Sequence, residues 1–163
     1  NHIYYYLGIA CKAQGKDKES QEYFERATIG TDEPAGAMYY NDQPADMILY
    51  QGLAFLQLGK EKEAKARCYR LIDYGERHVK DEIAIEYFAV SLPDFLIFED
   101  DLTKRNEAHC NYLMGLGHIG LGQCEKAADF LQKALQQNPK QRRLNLNRYR
   151  LIRSKQRLRG MRV

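Results

Sequence analysis

Three pairs of glycines, each pair seven residues apart, constrain this chain more than any other feature it has. Gly8 precedes Gly15, Gly52 precedes Gly59, and Gly115 precedes Gly122. A small residue follows each second glycine by five positions, as Ser20, Ala64 and Ala127. The surrounding windows share one pattern: YYYLGIACKAQGKDKESQEYFERA (4–27), ILYQGLAFLQLGKEKEAKARCYRL (48–71) and NYLMGLGHIGLGQCEKAADFLQKA (111–134). Inside a helix, glycine costs about 1 kcal/mol relative to alanine, so it is expected only where another helix must come close. The second glycine of each pair supplies the left-handed residue that ends such a helix. The small residue then falls on the next helix, where the two cross. Each unit reads as a helix–turn–helix with an apolar face that it cannot bury alone, and units of that kind stack into an all-α solenoid.

These positions resemble the tetratricopeptide repeat, whose pattern runs through an aromatic, Leu-Gly, a later Gly, Ala, Phe, Ala and Pro. The first unit is similar to it through Tyr4, Leu7, Gly8, Gly15, Phe24 and Ala27, and the third through Gly115, Gly122, Ala127, Ala134 and Pro139. The second keeps Gly52, Gly59 and Ala64 but has Cys68 at the Phe position. The phrases PAGAMYYNDQPADMILYQGLA and YFAVSLPDFLIFEDDLTKRNEAHCNYLMGLGHIGLG also resemble the repeat region of large bacterial proteins that carry an N-terminal β-rich domain of unknown function. That resemblance covers residues 1–139 and implies a multidomain bacterial parent with a link to carbohydrate metabolism. It brings no settled activity with it.

The first glycines lie 44 and then 63 residues apart, so the stack is irregular. Repeats are expected near 1–30, 45–76 and 108–139, giving at least six helices. Gly30–Ala45, rich in Gly, Pro, Asn and Asp, reads as a long loop. The insert at 77–107 reads as a degenerate hairpin, with a helix near Asp81–Ser91 broken at Leu92-Pro93. A strand competes there, because Ile83, Ile85 and Tyr87 alternate. Residues 140–163 hold ten Lys or Arg and no acid, against 15 basic and 22 acidic side chains in the rest. Leu144, Leu151 and Leu158 recur every seven residues there, which suggests a basic C-terminal capping helix.

A chain of 163 residues suits one domain. Its mean hydropathy of −0.63 and short apolar runs argue against a membrane span. Cys11, Cys68, Cys110 and Cys124 show no C-x-x-C spacing and no paired Cys/His pattern, so a reduced, cytoplasmic setting without zinc is expected. The start at Asn1, inside an expected helix, reads as a piece of a longer protein.

Catalytic, metal and cofactor sites are not expected. Cys11 and His118 share one repeat position turned toward a neighbouring helix, and Cys68 takes an apolar position, so all three read as core. His109 and Cys110 are adjacent on a helix and point apart. LMGLGHIGLG lacks the preceding strand of a phosphate-binding loop. Of Glu99, Asp100 and Asp101, the last is expected to cap a helix, and Asp32 and Asp42 to form turns.

The resemblance implies that the exposed side of each first helix lines a concave groove. By register those residues are His2, Tyr5, Tyr6, Ile9 and Lys12, then Asp46, Leu49, Tyr50, Leu53 and Gln57, then His109, Tyr112, Leu113 and Leu116. Chaperone-binding relatives grip a terminal carboxylate with Lys and Asn at Tyr5, Ile9, Tyr50, His109 and Leu113, so that clamp is missing. An aromatic, weakly charged groove fits a protein or peptide segment or another domain of the same chain; the alternative is that the insert at 77–106 or upstream parts of the same protein cover it. The expected function is thus a protein-interaction scaffold rather than an enzyme. Two alternatives stay open: an accessory domain of a carbohydrate-related enzyme, and nucleic-acid or anionic-surface contact through the basic tail.

Overall fold

The computed structural model describes residues 1–36, 43–83 and 102–137. The paired glycines set its local geometry. Gly15, Gly59 and Gly122 take φ of 74°, 73° and 71°, and each closes a first helix with the same two hydrogen bonds. Lys16, Lys60 and Gln123 donate to the carbonyls of Cys11, Phe55 and His118 at 3.0, 2.9 and 2.9 Å. The glycine N–H groups reach Lys12, Leu56 and Ile119. This double bond is the left-handed helix cap, and its recurrence turns the chain back three times in the same way.

Six helices result among the described residues, with no strand: α1 (His2–Ala13), α2 (Asp17–Ala27), α3 (Met47–Gln57), α4 (Glu61–His78), α5 (Leu102–Gly120) and α6 (Cys124–Gln137). Asp17 and Glu19 open α2, and Glu61 and Glu63 open α4, where acids favour the positive end of the helix dipole. The helices pack on their neighbours in sequence order as an all-α helical repeat arrangement.

Within each pair, the first glycine receives a side chain from the second helix. A Cβ on Gly8 would sit 2.6 Å from the Phe24 ring, and one on Gly115 would sit 2.8 Å from Leu131. Gly52 is looser, its nearest neighbours being the Ala64 carbonyl at 3.3 Å, Arg67 Cβ at 3.4 Å and Cys68 Sγ at 3.5 Å. Phe24, Cys68 and Leu131 occupy one register position, so the thiol explains the slack in the second repeat. Ser20, Ala64 and Ala127 are buried at the crossings, and the Ser20 hydroxyl donates to the Gly8 carbonyl at 2.9 Å.

Between pairs, the second helix of one repeat lies against the first helix of the next. On α4 and α5, Met114 enters the space at Gly75, while Gly117 meets the Cys68 carbonyl and Ile72. The main core joins α3 to α6 through Ile48, Leu49, Leu71, Tyr112, Leu113, Leu116 and Leu131. A smaller cluster of Phe24, Ala27 and Ala54, with Tyr5 and Leu58 against it, joins the first repeat to α3.

The described helices reach into the segment expected as an insert. Residues 77 and 78 belong to α4, and α5 starts at Leu102 instead of near 108. Asp81–Ile83 is not helical, and the rest of the helix expected near Asp81–Ser91 lies outside the described residues. The break at Leu92-Pro93, the Asp101 cap, Asp42, Pro139 and the basic tail at 140–163 lie outside the described residues.

Candidate functional site

The expected groove residues divide sharply by repeat. Tyr6 and Ile9 are exposed at 41% and 36%, Lys12 and Gln57 are exposed, and Tyr5 and Leu53 are half-buried. Leu49, Tyr50, Tyr112, Leu113 and Leu116 are buried instead. Register told which way these side chains point. It could not tell that the main core would absorb those of α3 and α5.

Where the groove is open, its floor is aromatic. Tyr50 meets His2, Tyr5 and Tyr6 with ring centroids 5.8–5.9 Å apart, and Tyr5 also meets Phe24 at 6.0 Å. Lys12 Nζ donates to Gln57 Oε1 at 2.9 Å and so ties the far ends of α1 and α3 together. Beside that bond lies a hollow of about 280 Å³ between Lys12, Asp17, Gln21, Gln57 and Leu58.

His109, on α5, sits against the segment after α2. Its Nε2 bonds the Ala35 carbonyl at 2.9 Å, and its ring meets Tyr74 edge-on. Burial holds its pKa below the usual imidazole value; the Arg105 charge adds to this, while the Ala35 carbonyl and Asp46 oppose it. It is a fastening point for the segment after α2. Asp32 of the same segment pairs with Arg67 at 2.8 Å and Arg70 at 3.3 Å, and Glu33 also pairs with Arg70. Gln51 Nε2 donates to the Thr31 carbonyl at 3.0 Å. Asp32 therefore clamps the loop onto α4, a long-range role that the turn-forming expectation missed and no local pattern announces.

Burial pushes the thiols of Cys68 and Cys110 up to about 11, so both are protonated and inert at neutral pH. His118 stacks on Phe130 and bonds Gln123 through Nδ1 at 2.7 Å, a satisfied core histidine. No group of three or more His, Cys, Asp or Glu converges as metal ligands among the described residues, and none of their helices is long and apolar enough to cross a membrane.

Sequence reasoning left a second face of α1 unassigned. Ile3, Leu7 and Ala10 recur at helical spacing and are exposed, Ile3 at 62% and Leu7 at 39%. Their spacing was the available signal, but it reads equally as an ordinary core face. Fold and surface together define the class: an all-α helical repeat protein whose first helix presents apolar and aromatic side chains to water. No family model matches the chain.

Proposed function

We propose that this chain is a tetratricopeptide-type interaction module that holds an apolar or aromatic segment of another polypeptide and carries no catalytic centre of its own. The observation that carries this reading is the exposure of Tyr6 and Ile9 directly beside the packed aromatic floor of Tyr5 and Tyr50. Rigid aromatic side chains give large contact area at little entropic cost, and such groups dominate interface energy. Leu53 continues the apolar surface, and Lys12 and Gln57 give it a polar rim.

Selection of random displayed peptides on the full chain tests the proposal. Enriched peptides should carry aromatic or branched apolar residues. Tyr6→Ala and Ile9→Ser should each weaken the selected peptides by about tenfold, the change that a 1.4 kcal/mol contact produces. Enriched peptides whose affinity ignores both substitutions would place the binding surface elsewhere.

A further inference from the structure

The hollow beside the Lys12–Gln57 bond sorts its polar groups by kind. Its floor is chemically closed: Phe24 is buried, Leu58 is apolar, and the Ser20 hydroxyl is spent on the Gly8 carbonyl at 2.9 Å. The rim is not closed. A lysine ammonium can only donate, so Gln57 must turn its oxygen toward Lys12, which leaves the Gln57 NH2 as a donor. Lys12 keeps further N–H groups of its own. On α2, Asp17 and Gln21 stand one turn apart on one face. The Gln21 NH2 goes to Glu25 at 3.1 Å, so its oxygen remains as an acceptor, and the Asp17 carboxylate has no donor among the described residues. Donors thus come from α1 and α3, acceptors from α2, with one cation and one anion among them.

The next seam, between α3 and α5 over α4, shows that the repeat does not require this arrangement. Carried along by the glycine register, Asp17 and Gln21 become Glu61 and Lys65, which pair with each other at 3.6 Å. Gln57 becomes Gly120, which lies so close to Cys68 Sγ that a Cβ has no room. That seam is shut and its polar pair satisfies itself. The first seam is open and its polar groups are left to a guest.

We propose that this hollow receives the carboxamide side chain of a glutamine or asparagine carried by the bound segment, an inference that rests on reading the concave face as a peptide-binding surface. A primary carboxamide brings a carbonyl for Lys12 and Gln57 and an NH2 for Asp17 and Gln21, so both its ends find a complement. A carboxylate suits Lys12 but sets a second negative charge beside Asp17, and a lysine or arginine suits Asp17 but meets Lys12. An apolar side chain of the same length takes water from these polar groups and returns no hydrogen bond. The balance of charge therefore selects a neutral, dipolar guest over either ion. Position along the groove adds a constraint. Lys12 lies three residues beyond Ile9 and six beyond Tyr6, about 4.5 and about 9 Å along the axis of α1. An extended segment advances about 3.3 Å per residue, so the carboxamide belongs roughly one to three residues from the side chain that packs on Tyr6 and Ile9.

Nuclear magnetic resonance of the isotope-labelled full chain with short synthetic peptides tests this. Each peptide carries a tyrosine and, two residues to one side or the other of it, glutamine, glutamate, lysine or methionine. All of them should shift the backbone amides of Tyr6 and Ile9, which reads the concave face alone. Only a glutamine peptide should shift the side-chain NH2 signals of Gln57 and Gln21, and it should bind at least about tenfold more tightly than its three counterparts. Asp17→Asn should narrow the gap to the glutamate peptide and Lys12→Met the gap to the lysine peptide, because each removes the charge that excludes that guest. Shifts at Tyr6 and Ile9 with equal affinity for all four side chains overturn the inference and leave the peptide-binding reading standing. A glutamate or lysine peptide that matches glutamine also overturns it, and shifts at neither place overturn both.

Discussion

On α5, Met114 lies against Gly75 of α4 and is buried, whereas on α1 Leu7 holds the same register position and faces water. The two helices end with the same left-handed cap and carry the same close-packing glycine, so their difference does not lie in their own architecture. It lies in what stands beside them. A helix face in a stack becomes core or surface according to its neighbour, and an identical pattern of residues serves either role.

The largest expected effect breaks this comparison at its buried side. Met114→Glu puts an unpaired charge between α4 and α5 and should cost about 3–5 kcal/mol. Leu7→Glu, at the matching open position, should change stability by no more than about 0.5 kcal/mol. Urea denaturation of the two variants gives the answer, and equal losses would mean that the α1 face is not open in solution.

A smaller contrast sharpens the comparison at the crossings inside each repeat. Gly8→Ala forces a methyl into the Phe24 ring and should lose about 1 kcal/mol, overpacking outweighing the gain in helix propensity. Gly52→Ala meets only contacts of 3.3 Å and longer and should be neutral or stabilising by up to about 1 kcal/mol. Gly52→Leu exceeds that slack and should lose about 1–3 kcal/mol. Thermal midpoints that move together for Gly8→Ala and Gly52→Ala would refute the link to Cys68.

The smallest effect concerns acid sensitivity on the α5 side. His109 is held below its ordinary value of about 6.5, so the unfolded chain binds the proton more readily than the folded one. Its contribution to stability is complete above about pH 6.5 and is lost as pH falls toward the depressed folded value. His109→Gln should remove that part of the slope between about pH 7.5 and about pH 5.5. An unchanged slope, followed by urea midpoints across that range, would show that His109 is not the group responsible.

Much of the fold was legible because glycine does two separate jobs here, and both leave marks in sequence. A left-handed cap admits few other residues, so Gly15, Gly59 and Gly122 announced their helix ends without any tertiary knowledge. The close-packing role of Gly8 and Gly115 was legible for a similar reason. The candidate site was legible only in part. Helical spacing marked the facing of Leu49, Tyr112 and Leu116, but burial depends on distant residues brought up by the fold. The Asp32 clamp is the clearest miss. Its partners stand 35 and 38 residues away, and two arginines on a long helix are ordinarily read as a solvated face.

That clamp has a consequence for how the molecule comes apart. A simple linear array can fray from either end, one unit at a time. Here the segment after α2 is fastened to Arg67, Arg70 and, across 74 positions of sequence, to His109. Asn1 holds only its start, through the Ile29 carbonyl, while the partners of Asp32, Glu33 and Ala35 lie in later helices. The seam toward α3 is held by the smaller core cluster, while α3 to α6 share the larger one. Two cooperative units of unequal strength follow, divided near Ile29, with the first able to open while the second stays shut. Amide protons of α1 and α2 should accordingly exchange together and ahead of those in α4 and α5.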